Sequence, residues 1–472
     1  MVMGDLVQRT DLLVIGAGPG GYAAAFRAAD LGMDVTMVDS AGRAGGVCLF
    51  SGCIPSKTFL HLTELITDAD RAQTMGVRFG PPQIDLPAMR AWRDKVVDDF
   101  AKGLDTLGRK RGVQLLRGRA VFDSADGVRL HDAEISRITF GHCILATGSR
   151  PLSFPGAANR SGGRIMDATG ALALEEIPRT LLVLGAGYVG LELGTVYAAL
   201  GSAVTLVEMT DDLLPGVDRD LAAPLRQRLE TRFAAMHFNT RVTTLDQTAD
   251  AVNAAFGGDH APAPQAFDKV LVAIGRRPNS DALGLEKTGV TLDDNGFVRV
   301  DEGMRTSDPR ILAVGDVAGG LMLAHKASRE GKVAAEVIAG QPSAFDARAI
   351  PAVVYTDPQI AWCGLTETEA RRTGRPVLIQ RFPWKFSGRA ATMGAPEGLT
   401  KLLVDPDSRR ILGMGIVGRH TEGLISEAVL AIEMGALVDD LALSIHPHPT
   451  LSETEGEVAE IFLGSATHML TK

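Results

Sequence analysis

The sequence predicts an α/β chain: two nucleotide-binding domains built on parallel sheets, followed by a C-terminal α+β domain. Three observations carry this prediction. A strand–helix–strand unit occurs twice, each copy holds a glycine turn at the same place, and the pattern changes after Pro342.

Residues 11–39 read DLLVIGAGPGGYAAAFRAADLGMDVTMVD, and residues 180–208 read TLLVLGAGYVGLELGTVYAALGSAVTLVE. Each is an apolar strand starting at its first residues, a glycine turn, an Ala-rich helix, a short glycine break and a second apolar strand ending in an acid. The interval from the first glycine to the acid is the same in both. A βαβ unit with its right-handed crossover implies a parallel sheet covered by helices. Strands ending in glycine signals follow: CILATGS at 143–149, VLVAIGRRPN at 270–279 and ILAVGDVAG at 311–319. From 351 onward, strand-like runs (TKLLVD, ILGMGIVG) precede a helical stretch, EGLISEAVLAIEMGALV, with no nucleotide-type glycine turn. Boundaries fall near 150, 278 and 347, giving segments 1–149, 150–277, 278–346 and 347–472.

Composition narrows the function. With 472 residues the chain can bury a large core without disulfide or metal staples. Acidic residues outnumber basic ones, 57 to 48, for a net charge of −9, which opposes nucleic acid as the main partner. No run of 18 or more apolar residues predicts a membrane span, and MVMGDLVQRT has no apolar core of a secretory signal. Four cysteines do not make a secreted disulfide framework. These features predict a reducing cytoplasm, where a disulfide is more often catalytic than structural.

Within Gly16-Ala17-Gly18-Pro19-Gly20-Gly21, the first glycine permits the tight turn, Gly18 lets a pyrophosphate approach the backbone, and Gly21 lets helix and strand pack closely. The helix N-terminus offers unpaired N–H groups to phosphate. Asp39 is placed to accept hydrogen bonds from a ribose diol. Gly185, Gly187, Gly190 and Glu208 repeat the logic. A carboxylate at Glu208, followed by MTDD, repels a 2′-phosphate, so the second site should take NAD. FAD and NAD share the adenosine diphosphate end, so the first turn alone does not choose between them.

Residues 45–57 read GGVCLFSGCIPSK. Cys48 and Cys53 are five residues apart, a rise of about 7.5 Å along a straight helix, beyond the ~4.4–6.8 Å Cα spacing of disulfides. If the two pair, the backbone must bend, and Gly52 and Pro55 are residues that could bend it. The spacing equally fits two buried thiols acting as small hydrophobes. No second Cys or His pair stands at metal-ligand spacing, so no metal site is predicted. Cys143 and Cys363, in apolar strand-like settings, read as inert core residues.

CLFSGCIPSK after a GAGPGG unit resembles the redox-active disulfide motif of the flavoprotein disulfide reductases. The resemblance implies FAD in the first site and segments 1–149 and 278–346, NAD in 150–277, and dimerisation through 347–472. It implies that Cys48 exchanges with substrate, that Cys53 contacts the flavin, and that Lys57 lies near the flavin's reactive edge with Glu192 as its carboxylate partner. It implies flavin contacts at Asp316 of Gly315-Asp316, at Ala324 of MLAHKA, at Ala120 of GRA and at Gly148, and nicotinamide dinucleotide contacts at Gly275 and Val242. Phe50-Ser51 departs from the family's usual Asn-Val type pair, and GRHTEGLISE at 418–427 departs modestly.

Residues 446–455 read HPHPTLSETE. A thiol of pKa near 8.5 is only about 3% thiolate at pH 7, and the thiolate is the attacking species. His448 could take the proton, with Glu453 orienting its ring as in other His–carboxylate pairs. Thr450-Leu451-Ser452-Glu453 also fits a helix capping box, and His446 and His448 also fit surface positions. HPHPTLSE resembles the HAHPTLSE-type signature of the family's lipoamide branch, as do VYTDPQIAW, FPWKFSGRA and LAIEMGA elsewhere. The resemblance implies a homodimer in which His448 serves the disulfide of the partner subunit. It implies oxidation of dihydrolipoyl groups with electrons passed through Cys48–Cys53 and FAD to NAD. The partner would then be a lipoyl domain or lipoylated carrier of a 2-oxo acid dehydrogenase complex, the glycine cleavage system or a related pathway.

Overall fold

A computed structural model describes residues 7–156 and 163–470. They form two compact units, each assembled from separate stretches of sequence. The first takes residues up to 58, then 87–152 and 275–346; the second takes 59–86, 153–274 and the chain from 347.

In the first unit, parallel strands run in the order Gln114–Arg117, Val35–Asp39, Val7–Ile15, Arg137–Leu145. Leu12, Leu13 and Val14 are wholly buried, as expected for a strand covered on both faces. Strand Arg137–Leu145 has two different neighbours on its other edge. Its first half pairs antiparallel with Gly127–His131, and its last three residues pair parallel with Ile311–Ala313. The sheet is thereby closed by a strand more than 160 residues away in sequence. Helices Pro19–Asp30 and Ala324–Ile338 pack on it.

The first strand starts at Val7, four residues ahead of the apolar run. Its register explains the extension: Val7 to Thr10 pair with Arg137 to Phe140. VQRT carries no apolar pattern, so only the long-range pairing reveals it.

In the second unit, five parallel strands run Ala235–His237, Ala203–Val207, Thr180–Leu184, Lys269–Val272, Ile165–Met166. A three-stranded antiparallel sheet, Arg241–Gln247, Val252–Gly257 and Gln265–Phe267, packs its inner residues with theirs. A further antiparallel sheet, in the order Ala352–Val354, Gln359–Gly364, Ile411–Gly418, Leu399–Val404, Leu378–Pro383, supports helices Thr421–Met434, Val438–Leu443 and Glu453–Leu463. Arg419, in the departing 418–427 segment, donates to Glu64 and Asp68.

Two ionisable side chains of this unit, Lys401 and Glu455, are wholly buried among the described residues. Lys401 is wholly buried, and its ammonium lies 2.8, 3.0 and 2.6 Å from carboxylate oxygens of Asp218, Asp220 and Glu367. That acidic trio has the spacing of metal ligands, and the lysine supplies its cation. Glu455 is also wholly buried, and neither carboxylate oxygen has a hydrogen-bond partner. Burial, then the charge of Glu427, pushes its carboxyl up to about 9. The same burial pushes the Cys363 thiol up to about 12, with Glu455 adding to the rise. Cys143 is wholly buried and also raised by burial. Both cysteines are core residues, as their sequence settings predict.

Glu455 makes stability depend on pH. Between its ordinary value of 4.5 and about 9, the carboxyl is neutral in the fold and ionised in the unfolded chain. Folding then takes up a proton, so stability falls as pH rises through that window. Glu455→Leu should therefore raise the thermal stability, and by about 5 kcal/mol more at pH 9 than at pH 5. Melting curves at the two pH values check this; an equal gain at both would show that the carboxyl titrates normally.

Candidate active site

The cysteine pair is made by a broken helix. Helix Gly46–Ser51 ends at Gly52, and helix Cys53–Ala72 starts immediately after it. A Cβ on Gly52 would lie 2.9 Å from the Val47 carbonyl oxygen and 3.3 Å from Cys48 Cα, so a side chain there would wedge the two turns apart. The break replaces the straight-helix separation, and the Cys48 and Cys53 side chains hydrogen-bond to each other as thiols. Cys48 is half-buried and Cys53 exposed. The hydrogen bond to Cys53 raises the Cys48 thiol most, followed by burial and by charge on Cys53; the Lys57 ammonium and the Cys53 backbone N–H act the other way. Lys57 stands one helical turn after Cys53 on helix Cys53–Ala72.

Phe50, the departure between the cysteines, is absorbed by local packing. It joins Leu49, Ile54, Val97, Ala101 and Leu104, and the Arg43 guanidinium lies 4.7 Å from its ring centroid while bonding Asp98.

The two glycine turns are built alike. Gly16 and Gly185 have φ of +104° and +98°, and a Cβ on either would meet a backbone carbonyl at 2.3 and 2.5 Å. A Cβ on Gly21 or Gly190 would lie 1.9 or 2.1 Å from the carbonyl of the first glycine. Gly18 and Gly187 differ. The nearest atom to a Cβ on Gly18 is Gly46 Cα at 3.9 Å, and nothing lies within 4 Å of one on Gly187. The backbone is bare where a pyrophosphate would rest, at the N-caps of helices Pro19–Asp30 and Tyr188–Ala199. The residues present thus fit a dinucleotide at both turns. Asp39 accepts from the N–H groups of Ala17 (2.9 Å) and Ala41 (2.8 Å). Glu208 accepts from the N–H groups of Ala186 (2.7 Å) and Thr210 (2.9 Å) and from the Thr210 hydroxyl. Each acid is fixed against its own glycine turn, with oxygen lone pairs left for a ribose diol.

Other first-unit candidates gather on neighbouring elements. Asp316 lies half-buried on the single turn Gly315–Ala318 and accepts from the Ser149 hydroxyl. Gly148, at φ +69°, precedes Ser149; Ala120 is buried on strand Arg119–Ser124; Ala324 opens helix Ala324–Ile338. Gly275 also belongs to this unit, at φ +123°, accepting from the Leu152 N–H. Glu192 and Val242 belong to the second unit: Glu192 is buried and accepts from the Tyr355 N–H, and Val242 lies on strand Arg241–Gln247.

At the C-terminal end, His448 Nδ1 lies 2.8 Å from Glu453 Oε1, and Glu453 Oε2 accepts from the Thr450 N–H at 2.7 Å. Burial acts to raise the Glu453 carboxyl, but the bonds from Thr450 and His448 hold it below the ordinary range. One half of the capping box forms, because the Thr450 hydroxyl turns to Pro447 and Ser452 instead. Glu453 therefore serves both the helix start and the histidine. Since an ionised carboxylate only accepts, Nδ1 carries the hydrogen, and in the neutral ring that leaves the lone pair on Nε2. The His448 side chain is 72% exposed, so Nε2 is open to a reactant. His446 is not a surface residue. Its side chain is 9% exposed, with Nε2 at 3.0 Å from Glu427 and Nδ1 at 3.1 Å from the Ser444 carbonyl.

Residues 10–331 match the family model described as pyridine nucleotide-disulphide oxidoreductase. The chain belongs to this family. Residues 350–459 match the dimerisation domain of the pyridine nucleotide-disulphide oxidoreductases. Among similar proteins, dihydrolipoyl dehydrogenase of Haemophilus influenzae is 44% identical over 98% of this chain and 96% of its own. The protein of that name from Halobacterium salinarum is 44% identical over all of both chains, and that from Vibrio parahaemolyticus 42% over 98% of each. LpdA from Mycobacterium tuberculosis superposes with a TM-score of 0.88 at 27% identity, covering 96% of this chain and 99% of that one. The HOCl-induced flavoprotein disulfide reductase RclA of Escherichia coli gives 0.84 at 25%, covering 95% and 99%.

Within this pyridine nucleotide-disulphide oxidoreductase, the first unit holds Cys48, Cys53, Lys57 and every flavin candidate. The second holds His448, Glu453 and every nicotinamide dinucleotide candidate except Gly275. Ser149 carries no sequence signal of its bond to Asp316, whereas Thr210 carries one, a hydroxyl two residues beyond the terminal acid.

The bare backbone at Gly18 and Gly187 makes a separable prediction. Neither has positive φ, so alanine fits the apoprotein at both positions. Gly18→Ala should leave apoprotein melting unchanged and weaken FAD binding about tenfold or more, and Gly187→Ala should do the same to NAD binding. Gly21→Ala should instead destabilise the fold. Titration of each variant with each dinucleotide checks this; unchanged affinities would mean that the turns do not cradle pyrophosphate.

Proposed function

We propose that the chain is a dihydrolipoyl dehydrogenase, oxidising protein-bound dihydrolipoyl groups and reducing NAD⁺. The observation that carries this is the paired sulfurs of Cys48 and Cys53 in a chain that also holds His448 on Glu453. Full-length relatives bearing that enzyme's name support it.

His448 Nε2 takes a proton from one dihydrolipoyl thiol. The thiolate attacks Cys48 Sγ of the oxidised pair, the Cys48–Cys53 bond breaks, and Cys53 leaves as a thiolate. The second dihydrolipoyl thiol then attacks the substrate sulfur of the mixed disulfide, its proton passing to the departing Cys48 sulfur as the Cys48–substrate bond breaks and the lipoyl disulfide closes. Two electrons now reside on the cysteine pair. FAD bound beside the pair would supply the two-electron relay between these sulfurs and NAD⁺. Lys57 favours negative charge at the pair, and Glu453 stabilises the imidazolium formed at His448. The first glycine turn with Asp39 and Asp316 would hold FAD, and the second with Glu208 would hold NAD. Exchange is reversible, so the poise of both couples sets its direction.

The active form is a homodimer in which His448 serves the cysteine pair of the partner subunit. Leu430, Met434, Leu443 and Ile445, 63, 77, 78 and 98% exposed, lie in the stretch matching the dimerisation domain and give a second copy an apolar surface. No described helix is long and apolar enough to cross a membrane. The compartment is the cytoplasm, and the partner is a lipoyl domain or lipoylated carrier.

Two substitutions test the roles. Cys53→Ser should abolish dihydrolipoamide-dependent NAD⁺ reduction; retained turnover removes Cys53 from the reaction. His448→Gln should slow dithiol oxidation about 100-fold or more while leaving NADH-to-dye electron transfer nearly intact. Equal losses in the two assays would contradict its role as base.

A further inference from the structure

The one-turn segment Gly315–Ala318 is gripped at both ends by a buried ion pair. Lys326 and Glu330, 8% and 3% exposed, stand one turn apart on helix Ala324–Ile338, with Nζ 2.5 Å from Oε1. The other Glu330 oxygen accepts from the Gly315 N–H at 2.8 Å, and Lys326 Nζ donates to the Gly319 carbonyl at 2.9 Å. The pair thus binds the backbone immediately before and after the residues that carry Asp316.

A second chain of bonds reaches the Asp316 carboxylate. Arg276 Nε donates to the Ser149 hydroxyl at 2.7 Å, and its Nη2 donates to the Ser149 carbonyl at 2.8 Å. Ser149 in turn lies 2.5 Å from Asp316 Oδ2. A guanidinium can only donate, so the single hydroxyl proton of Ser149 points at Asp316. The antiparallel pairing of Arg276–Pro278 with Ser149–Pro151 fixes the register of this relay. A buried ion pair by itself is weak support for stability. One whose two heads are both spent on the same turn has a positional consequence instead.

We propose that Lys326, Glu330, Ser149 and Arg276 are positioning residues that set the Asp316 carboxylate in place before FAD binds. This rests on the reading of Asp316 as a flavin ligand. Because the grip uses both charges, an apolar pair of similar volume can replace its packing but not its hold on the turn. Lys326→Met with Glu330→Leu leaves the buried Gly315 N–H and Gly319 carbonyl without these partners, so it should lower apoprotein melting modestly in a protein that still folds, while raising the FAD dissociation constant at least about tenfold. Ser149→Ala should raise it similarly without loss of apoprotein stability, and decides the matter if the double variant does not fold.

The measurement is quenching of FAD fluorescence on titration of flavin-free protein, beside melting curves of the same samples. Unchanged FAD affinity in folded variants overturns the proposal and leaves the flavin site standing. Failure of the unsubstituted chain to bind FAD would overturn the flavin reading itself.

Discussion

The break at Gly52 is the constraint on which the chemistry depends. An unbroken helix would hold Cys48 and Cys53 about 7.5 Å apart along its axis. Ending one helix at Ser51 and starting the next at Cys53 lets the sulfurs hydrogen-bond across the gap. The absence of a side chain at residue 52 is part of the device, since a Cβ would press on the Val47 carbonyl and Cys48. The pair also sits just behind the first glycine turn, whose backbone is bare at Gly18 beside Gly46. Sequence adjacency here becomes chemical adjacency: the chain leaves one cofactor candidate and enters the exchange couple within a few residues.

The same construction appears at two scales. In each βαβ unit, the acid ending the second strand is tied to the backbone of its own glycine turn, Asp39 to Ala17 and Glu208 to Ala186. The carboxylate is thereby oriented before any ribose arrives, which lowers the cost of ordering on binding. His448 shows this principle again. Glu453 is tied to Thr450 and holds the ring with Nε2 outward. Rigid elements place each reactive group, and a neighbouring hydrogen bond fixes its orientation.

Much of this was legible in the sequence because it is local. The duplicated strand–turn–helix–strand unit folds as its pattern predicts, and the cysteine segment and HPHPTLSE, whose spacing left alternatives open, each place their chemistry within a few residues. Long-range pairing was not legible. Nothing in VQRT announces a strand, because its partner lies at Arg137–Phe140. ILA at 311–313 reads as a strand, but its place beside Arg137–Leu145 is set only in the folded sheet. Lys401 looks like a surface lysine until Asp218 and Asp220 from one stretch and Glu367 from another converge on it. Ser149 is an ordinary turn serine until Arg276 and Asp316 meet at its hydroxyl. Glu455 is invisible for the opposite reason, since it reads as a polar residue of an amphipathic helix start yet is wholly buried.

The central claim is that Cys48 and Cys53 are the exchange couple that receives electrons from a dithiol. The most direct measurement is mass spectrometry of alkylated peptides, taken before and after anaerobic addition of dihydrolipoamide without NAD⁺. The account predicts a Cys48–Cys53 disulfide beforehand, with new alkylation confined to those two residues afterwards, while Cys143 and Cys363 stay protected in the folded protein. No change at Cys48 and Cys53 on reduction, or the absence of a disulfide between them in the oxidised protein, would contradict it.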